Sequence, residues 1–248
     1  MIQASDQKVA LITGGGRGIG RAISKRLARD GFIVVVNYLT RVADAEETCR
    51  QIQSEGGTAW CEQADVTRQE DVRTLFNGIR GRHGRLDVLV NNAGSTYEGL
   101  FALTPESKFR DLFEKNVISV VLCSKAAIQM MLPKRKGSIV NLSSTATRGA
   151  AGLSAYAASK AAVDTLTRGL ARELAKAGIR INAVAPSWVD TEMLSSSSAS
   201  GLEELRKRTA VERFATTDEV AAVVASLVKD DMTYLSGQVI AVNGGGIS

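Results

Sequence analysis

The sequence predicts a doubly wound α/β fold, a parallel sheet covered by helices on both faces, and three observations carry that prediction. Short β-branched runs alternate with segments of helical period along the chain; a glycine-rich turn joins the first run to the first helical segment; and no linker, internal repeat or charge block divides the 248 residues. Parallel neighbours need crossover connections, so this alternation implies helices above and below one sheet. A chain of 248 residues with 44% hydrophobic content is enough for one sizeable core, so residues 1–248 are expected to form a single domain.

In order, the predicted strands are VALIT (9–13), FIVVVNY (32–38), TAWCEQA (58–64), LDVLVN (86–91), SIVNLS (138–143), IRINAVA (179–185) and QVIAV (238–242). Between them lie helical patterns such as AEETCRQIQSEGG, which ends at a glycine pair, and ASKAAVDTLTRGLARELAKAG, which stops at Gly178. The least regular segment, 187–213, has SSSSASG at its centre and the charged ELRKR after it. It reads as a solvated loop or as a substrate lid.

Composition excludes several classes. The net charge of +5 is spread among interleaved acids, and the short clusters Lys134–Lys136 and Arg206–Arg208 lack the aromatics of a base-stacking surface. No nucleic acid partner is expected, while a cationic rim for an acidic or phosphorylated substrate stays open. Cys49, Cys61 and Cys123 are odd in number and widely spaced, which argues for reduced thiols and against a disulfide scaffold or a metal site. The start, MIQASDQKVALIT, lacks a basic region followed by a long apolar stretch, and no apolar run nears the ~20 residues of a membrane span. A cytoplasmic protein is expected. His83, the sole histidine, lies at a helix end, so no Ser-His-Asp hydrolase assembles around it.

The turn TGGGRGIG places Gly14, Gly16, Gly18 and Gly20, with Ile19 among them, where a strand gives way to a helix. Residues without Cβ let the backbone bend there, so that a pyrophosphate can lie against amides at the positive helix end. For NAD the usual companion is an acid at the end of the second strand. Here that strand ends in Asn37, Tyr38, Leu39 and Thr40, while Arg17 sits in the turn and Arg41 opens the next helix. Two guanidiniums suit a 2′-phosphate that a carboxylate would repel, so NADP(H) is predicted over NAD(H), which stays possible if Arg17 and Arg41 are only solvated charges.

In NLSSTATRGAAGLSAYAASKAAV, Tyr156 and Lys160 are four residues apart on a predicted helix, which stacks them on one face. An ammonium beside a phenol is expected to lower the phenol's pKa and make Tyr156 a proton donor to a carbonyl, or acceptor from an alcohol, while hydride moves at the adjacent carbon.

With TGGGRGIG at 13–20, Asp65 in ADVT, NNAG at 91–94, Asn116, the serine pair 143–144, YAASK at 156–160 and VNGG near the end, the chain resembles the short-chain dehydrogenases/reductases over essentially its whole length. The resemblance implies a Rossmann-like fold with a seven-stranded parallel sheet, and a homotetramer. It places Asp65 and Val66 at the adenine end, and Asn91, Ala93 and Gly94 around the ribose, with Asp65 as a helix cap and Asn91 as a tie between strands as the alternative readings. Pro186, Val189 and Thr191 fall beside the nicotinamide, with Ser187 standing where the family often has glycine. Lys160 would also hold the ribose, and Asn116 would hold a water that relays the proton.

The family's serine orients the substrate oxygen. Counting thirteen residues back from Tyr156 selects Ser143; aligning from the strand selects Ser144, and since strand side chains alternate faces Ser144 is taken, with the deletion placed in STATRGAAG. Within the family, the 3-oxoacyl-[acyl-carrier-protein] reductases of fatty acid biosynthesis match best, with Arg135 at one of two basic positions near the site mouth and Ala177, next to Lys176, at the other. A small ketone, sugar or steroid is the alternative substrate, and an NADP(H)-sensing protein without turnover the alternative of another class.

Overall fold

The computed structural model describes residues 7–192, 199–207 and 209–246. Its strands are β1 (Val9–Ile12), β2 (Ile33–Tyr38), β3 (Thr58–Gln63), β4 (Val88–Asn91), β5 (Gly137–Leu142), β6 (Ile179–Pro186) and β7 (Val239–Val242). All pair in parallel in the order β3-β2-β1-β4-β5-β6-β7. The order reverses between β1 and β4, and the crevice beyond the carboxyl ends of those two strands is where such sheets bind ligands.

The crossovers are α1 (Gly18–Arg29), α2 (Val42–Ser54), α3 (Gln69–His83), α4 (Glu106–Phe113), α5 (Ser119–Met131) and α6 (Ser154–Leu174), followed by α7 (Ala199–Arg206) and α8 (Thr217–Leu227). Strand side chains alternate between two cores. Ala10, Ile12, Val34 and Val36 pack with Ile23, Leu27 and Val224 on one face, while Leu11, Val35 and Ile139 pack with Phe76, Ile79 and Met131 on the other. Burial on both faces is why these strands read as continuous apolar runs.

Two features depart from the sequence reading. The segment 187–213, read as irregular, contains α7, and Val189 bridges to Ala215; residues 193–198 and 208 of the proposed lid lie outside the described residues. The helical run Glu106–Lys134 is also long and apolar enough, by length and composition, to cross a membrane. Its α5 portion lies against α3, β4 and β5. Within that run, Glu114–Ile118 forms a single π turn.

Candidate active site

The glycine turn is braced from inside. Gly14 (φ +61°) and Gly18 (φ +50°) lie in the left-handed region that favours glycine. The carbonyls of Thr13 and Gly14 accept from Asn92 Nδ2 at 2.9 and 3.1 Å, Gly15 O accepts from Ser24 Oγ at 3.2 Å, and Gly16 O accepts from Thr48 Oγ1 at 2.9 Å and Arg21 Nε at 3.0 Å. Thr13 Oγ1 in turn accepts from the amides of Asn92 and Ala93, both at 3.0 Å. At the start of α1, Arg17 gives no side-chain cap and the first turn holds no acid, so the positive helix end stays open to an anion. Ile19 is half-buried against the core, and Gly20 is buried.

Arg17 and Arg41, 24 residues apart in sequence, converge. Their Nη1 atoms lie 3.0 and 3.6 Å from the same oxygen, Oε2 of Glu192. A glycine turn with an open helix end and paired guanidiniums beside it fits a dinucleotide with an extra phosphate. Thr191 lies against the turn, its Cγ2 3.8 Å from where a Cβ on Gly18 would stand. Pro186 closes β6 opposite Val242, the Ser187 amide continues the pairing to Val242 O at 3.0 Å, and Val189 is buried.

Several residues read as cofactor contacts have side chains committed elsewhere. Asn37 is buried, accepting from the Gly14 amide at 3.3 Å and donating to Ala64 O at 3.1 Å, so it ties the turn to the ends of β2 and β3. Asn91 donates to Asn141 Oδ1 at 2.8 Å and Ser124 Oγ at 3.1 Å, which makes its side chain a buried strut between β4, β5 and α5. Asp65 Oδ1 accepts from the amide and hydroxyl of Thr67 at 3.0 and 2.7 Å, closing a turn ahead of α3 and not capping that helix, whose N-cap is Arg68. Val66 is buried, while Tyr38 is half-buried and Thr40 exposed at the end of β2.

The other half of the site stands at the end of β5. Tyr156 lies in the first turn of α6 and Lys160 one turn on, its Nζ 5.9 Å from the Tyr156 ring centre and donating to Leu142 O at 2.7 Å. The Ser144 hydroxyl faces the Tyr156 phenol, while Ser143 is buried toward the Asp164 carboxylate.

The expected lowering of the Tyr156 pKa does not hold in this arrangement. Burial pushes the phenol up and outweighs Ser144, and burial pushes the Lys160 ammonium down to about 8. The ammonium donates to the Leu142 carbonyl, with its Nζ 5.9 Å from the phenol ring centre.

Asn116 sits fully buried on the π turn, where it accepts from the Ser95 amide at 2.8 Å and donates to Ser95 O and Ser159 Oγ, both at 2.9 Å. Such turns re-aim one residue within a helix and recur at functional sites. Gly94 makes room for it: a Cβ there would stand 2.7 Å from Asn116 Oδ1 and 3.6 Å from Lys160 Nζ.

Thr13, Asn92 and Ser159 support both halves and were not singled out from the sequence. Asn92 and Ser159 lie inside NNAG and YAASK, and that was the available signal. Arg135, read as part of a basic rim, lies away from the site of its own chain. Its guanidinium donates to Lys176 O, and both residues precede the strands whose far ends carry the site. The length of β5, about 20 Å for six residues, separates Arg135 from Ser144.

A cavity of about 350 Å³ lined by Thr147, Arg148, Asp164, Arg168 and Val239 includes neither Ser144 nor Tyr156. Among the described residues no three His, Cys, Asp or Glu side chains gather as a metal site. Cys49, Cys61 and Cys123 are free thiols, and His83 ends α3 stacked on Trp60 at 5.0 Å.

A parallel doubly wound sheet with a glycine turn at its first crossover, and a serine, tyrosine and lysine converging beyond β5, is the frame of a Rossmann-type oxidoreductase working on the CH–OH/C=O couple. The model of a family described as enoyl-(acyl carrier protein) reductase matches residues 14–246. The 3-oxoacyl-[acyl-carrier-protein] reductase FabG of Staphylococcus aureus is 38% identical over 239 residues, 96% of this chain and 97% of the relative. An uncharacterized oxidoreductase of Escherichia coli, YgfF, is also 38% identical, over 96% of this chain and 99% of the relative. A crystal structure of a single-substitution variant of actinorhodin polyketide ketoreductase with NADPH superposes with a TM-score of 0.93 at 32% identity, covering 98% of both chains. The chain belongs to the short-chain dehydrogenase/reductase family.

Proposed function

We propose that the protein is an NADPH-dependent reductase of a 3-oxoacyl thioester carried on acyl carrier protein, acting in the cytoplasm as a homotetramer. The observation that carries the reductase reading is the Ser144 hydroxyl facing the Tyr156 phenol with the buried Lys160 behind it. The 3-oxoacyl-[acyl-carrier-protein] reductase named above, alike over nearly its whole length, supports the substrate class.

In this reading Gly14, Gly16, Gly18, Ile19 and Gly20 hold the pyrophosphate, and Arg17 and Arg41 hold the 2′-phosphate, with Tyr38 and Thr40 beside it. Asp65, Val66, Ala93 and Gly94 line the adenosine, while Asn37 and Asn91 act through the backbone they brace. Pro186, Val189 and Thr191 flank the nicotinamide. A nicotinamide held there would supply the hydride that reduces the carbonyl carbon. Ser144 donates a hydrogen bond to the carbonyl oxygen and fixes its place beside Tyr156. Tyr156 then gives its phenolic proton to that oxygen, completing the alcohol. The phenol carries this proton at neutral pH as an ordinary tyrosine does, and burial raises its pKa further. Lys160 holds the ribose and returns the proton to Tyr156, and Asn116 sets the position of the Ser95 backbone beside it.

The test is NADPH oxidation with an acetoacetyl group on acyl carrier protein, on a small thiol carrier, and with a panel of free ketones, sugars and steroids. The thioester on its carrier protein is expected to give the highest kcat/KM. Preference for a free ketone, sugar or steroid overturns the substrate class alone. Tight NADPH binding without turnover of any carbonyl overturns the reductase reading in favour of a cofactor sensor.

A further inference from the structure

Glu192 follows Thr191, which lies against the glycine turn, and its side chain reaches the two arginines beside that turn. Its Oε2 lies 3.0 Å from Arg17 Nη1 and 3.6 Å from Arg41 Nη1, so one carboxylate oxygen bridges the two guanidiniums assigned above to the 2′-phosphate. Among the described residues, the other acid at this cluster is Asp44, 3.5 Å from Arg41 Nη1 through its Oδ2 and 3.8 Å from Arg21 Nη2 through its Oδ1. Asp44 engages Arg41 from its own helix, three residues on. Glu192 is the acid that links Arg17 to Arg41, and it comes from 175 residues beyond Arg17.

We infer that Glu192 is a built-in competitor for the 2′-phosphate of NADP(H), holding the paired arginines until the cofactor displaces it. This rests on the NADP(H) reading above. Electrostatics decides the order of preference. A phosphate monoester carries about −1.5 to −2 charge at neutral pH with three acceptor oxygens, against one charge and two oxygens for a carboxylate, so the phosphate wins at a pair of guanidiniums. The displaced carboxylate is largely exposed, at 71% of its side-chain surface, so it returns to water without a desolvation cost. The competitor therefore weakens NADP(H) binding modestly and leaves NAD(H), which has nothing to place between the arginines, unaffected. The two arginines are also kept from repelling each other while no cofactor is bound.

The experiment is a fluorescence titration of the full chain with NADPH and with NADH, for wild type, Glu192→Gln and Arg17→Ala, with adenosine 2′,5′-bisphosphate as a probe lacking nicotinamide. Glu192→Gln is expected to tighten NADPH and the bisphosphate by about two- to fivefold, the worth of an exposed ion pair, with the NADH affinity unchanged. Arg17→Ala is expected to weaken NADPH and the bisphosphate and to spare NADH. Unchanged or weaker NADPH binding by Glu192→Gln, in a protein that still prefers NADPH, overturns the competitor and makes Glu192 neutral or an organiser of the arginines. Equal tightening of NADPH and NADH overturns it too, because the carboxylate would then be repelling the shared diphosphate. If wild type and Glu192→Gln both bind NADH more tightly than NADPH, the cofactor reading itself falls and the inference with it.

Discussion

The two halves of the site use their side chains in opposite ways. Around the glycine turn, Thr13, Asn37 and Asn92 point inward and tie backbone to backbone, and Asn91 ties to buried side chains behind them, leaving the backbone and two exposed arginines to meet a ligand. Beyond β5 the backbone serves the side chains: Leu142 O receives the Lys160 ammonium, and the Ser95 peptide receives both ends of the Asn116 amide. A phosphate is a large anion that many donors can share, so a shaped backbone suffices for it. Proton transfer needs one particular group at one position, so a side chain must be held there.

The largest expected break in this contrast is Tyr156→Phe, which removes the proton donor and leaves its packing. Turnover is expected to drop by ~10²–10⁴-fold with NADPH affinity nearly unchanged, checked by steady-state assay beside titration. Retained turnover would transfer the donor role elsewhere. Next comes the serine pair. Ser144→Ala is expected to lower kcat by about 10²-fold, while Ser143→Ala, facing Asp164, changes it by only a few-fold. The reverse ranking would mean that the facing seen between Ser144 and Tyr156 is not the productive one.

A smaller effect tests the turn side. Asn91→Ala strands Asn141 and Ser124 in the interior and is expected to cost about 1–3 kcal/mol, lowering Tm by several degrees while the NADPH Kd moves little. A weakened Kd at unchanged Tm would make Asn91 a ligand contact instead of a strut. The last test is a pH dependence. Lys160 titrates at about 8 in the fold against 10.5 when free, so between those values the unfolded chain holds a proton that the fold has released. Stability relative to Lys160→Met is therefore expected to rise across about pH 8 to 10.5 and to be flat below that window. Paired thermal melts would read it, and parallel curves throughout would mean that the ammonium is better solvated than its burial implies.

Much of this was legible beforehand because it is local. All seven strands were read within a residue or two at each end, since the central strands, buried on both faces, are mostly apolar runs and turns bound the edge strands β3 and β7. Tyr156 and Lys160 share a face because helical spacing puts them there. Asn37 and Asn91 were harder, since a motif says that an amide is needed without saying which way it points. The Tyr156 pKa was misjudged for a related reason: spacing gives proximity to Lys160, but burial of the phenol, which only the fold sets, raises it.

The sequence by itself determined the order of elements, the parallel sheet, the glycine turn and the catalytic pair, all consequences of period and spacing within about one crossover unit. The tertiary structure decided the rest. It turned Ser144 and not Ser143 toward Tyr156, set a π turn in the Glu106–Lys134 run where Asn116 meets Ser95 and Ser159, and put Arg135 at the end of β5 away from its own chain's site. It also set Glu192 between two arginines from distant turns. Each of these depends on strand length, loop path or helix register accumulated over tens of residues, and a slip of one residue anywhere along the way would have aimed a different side chain into the site.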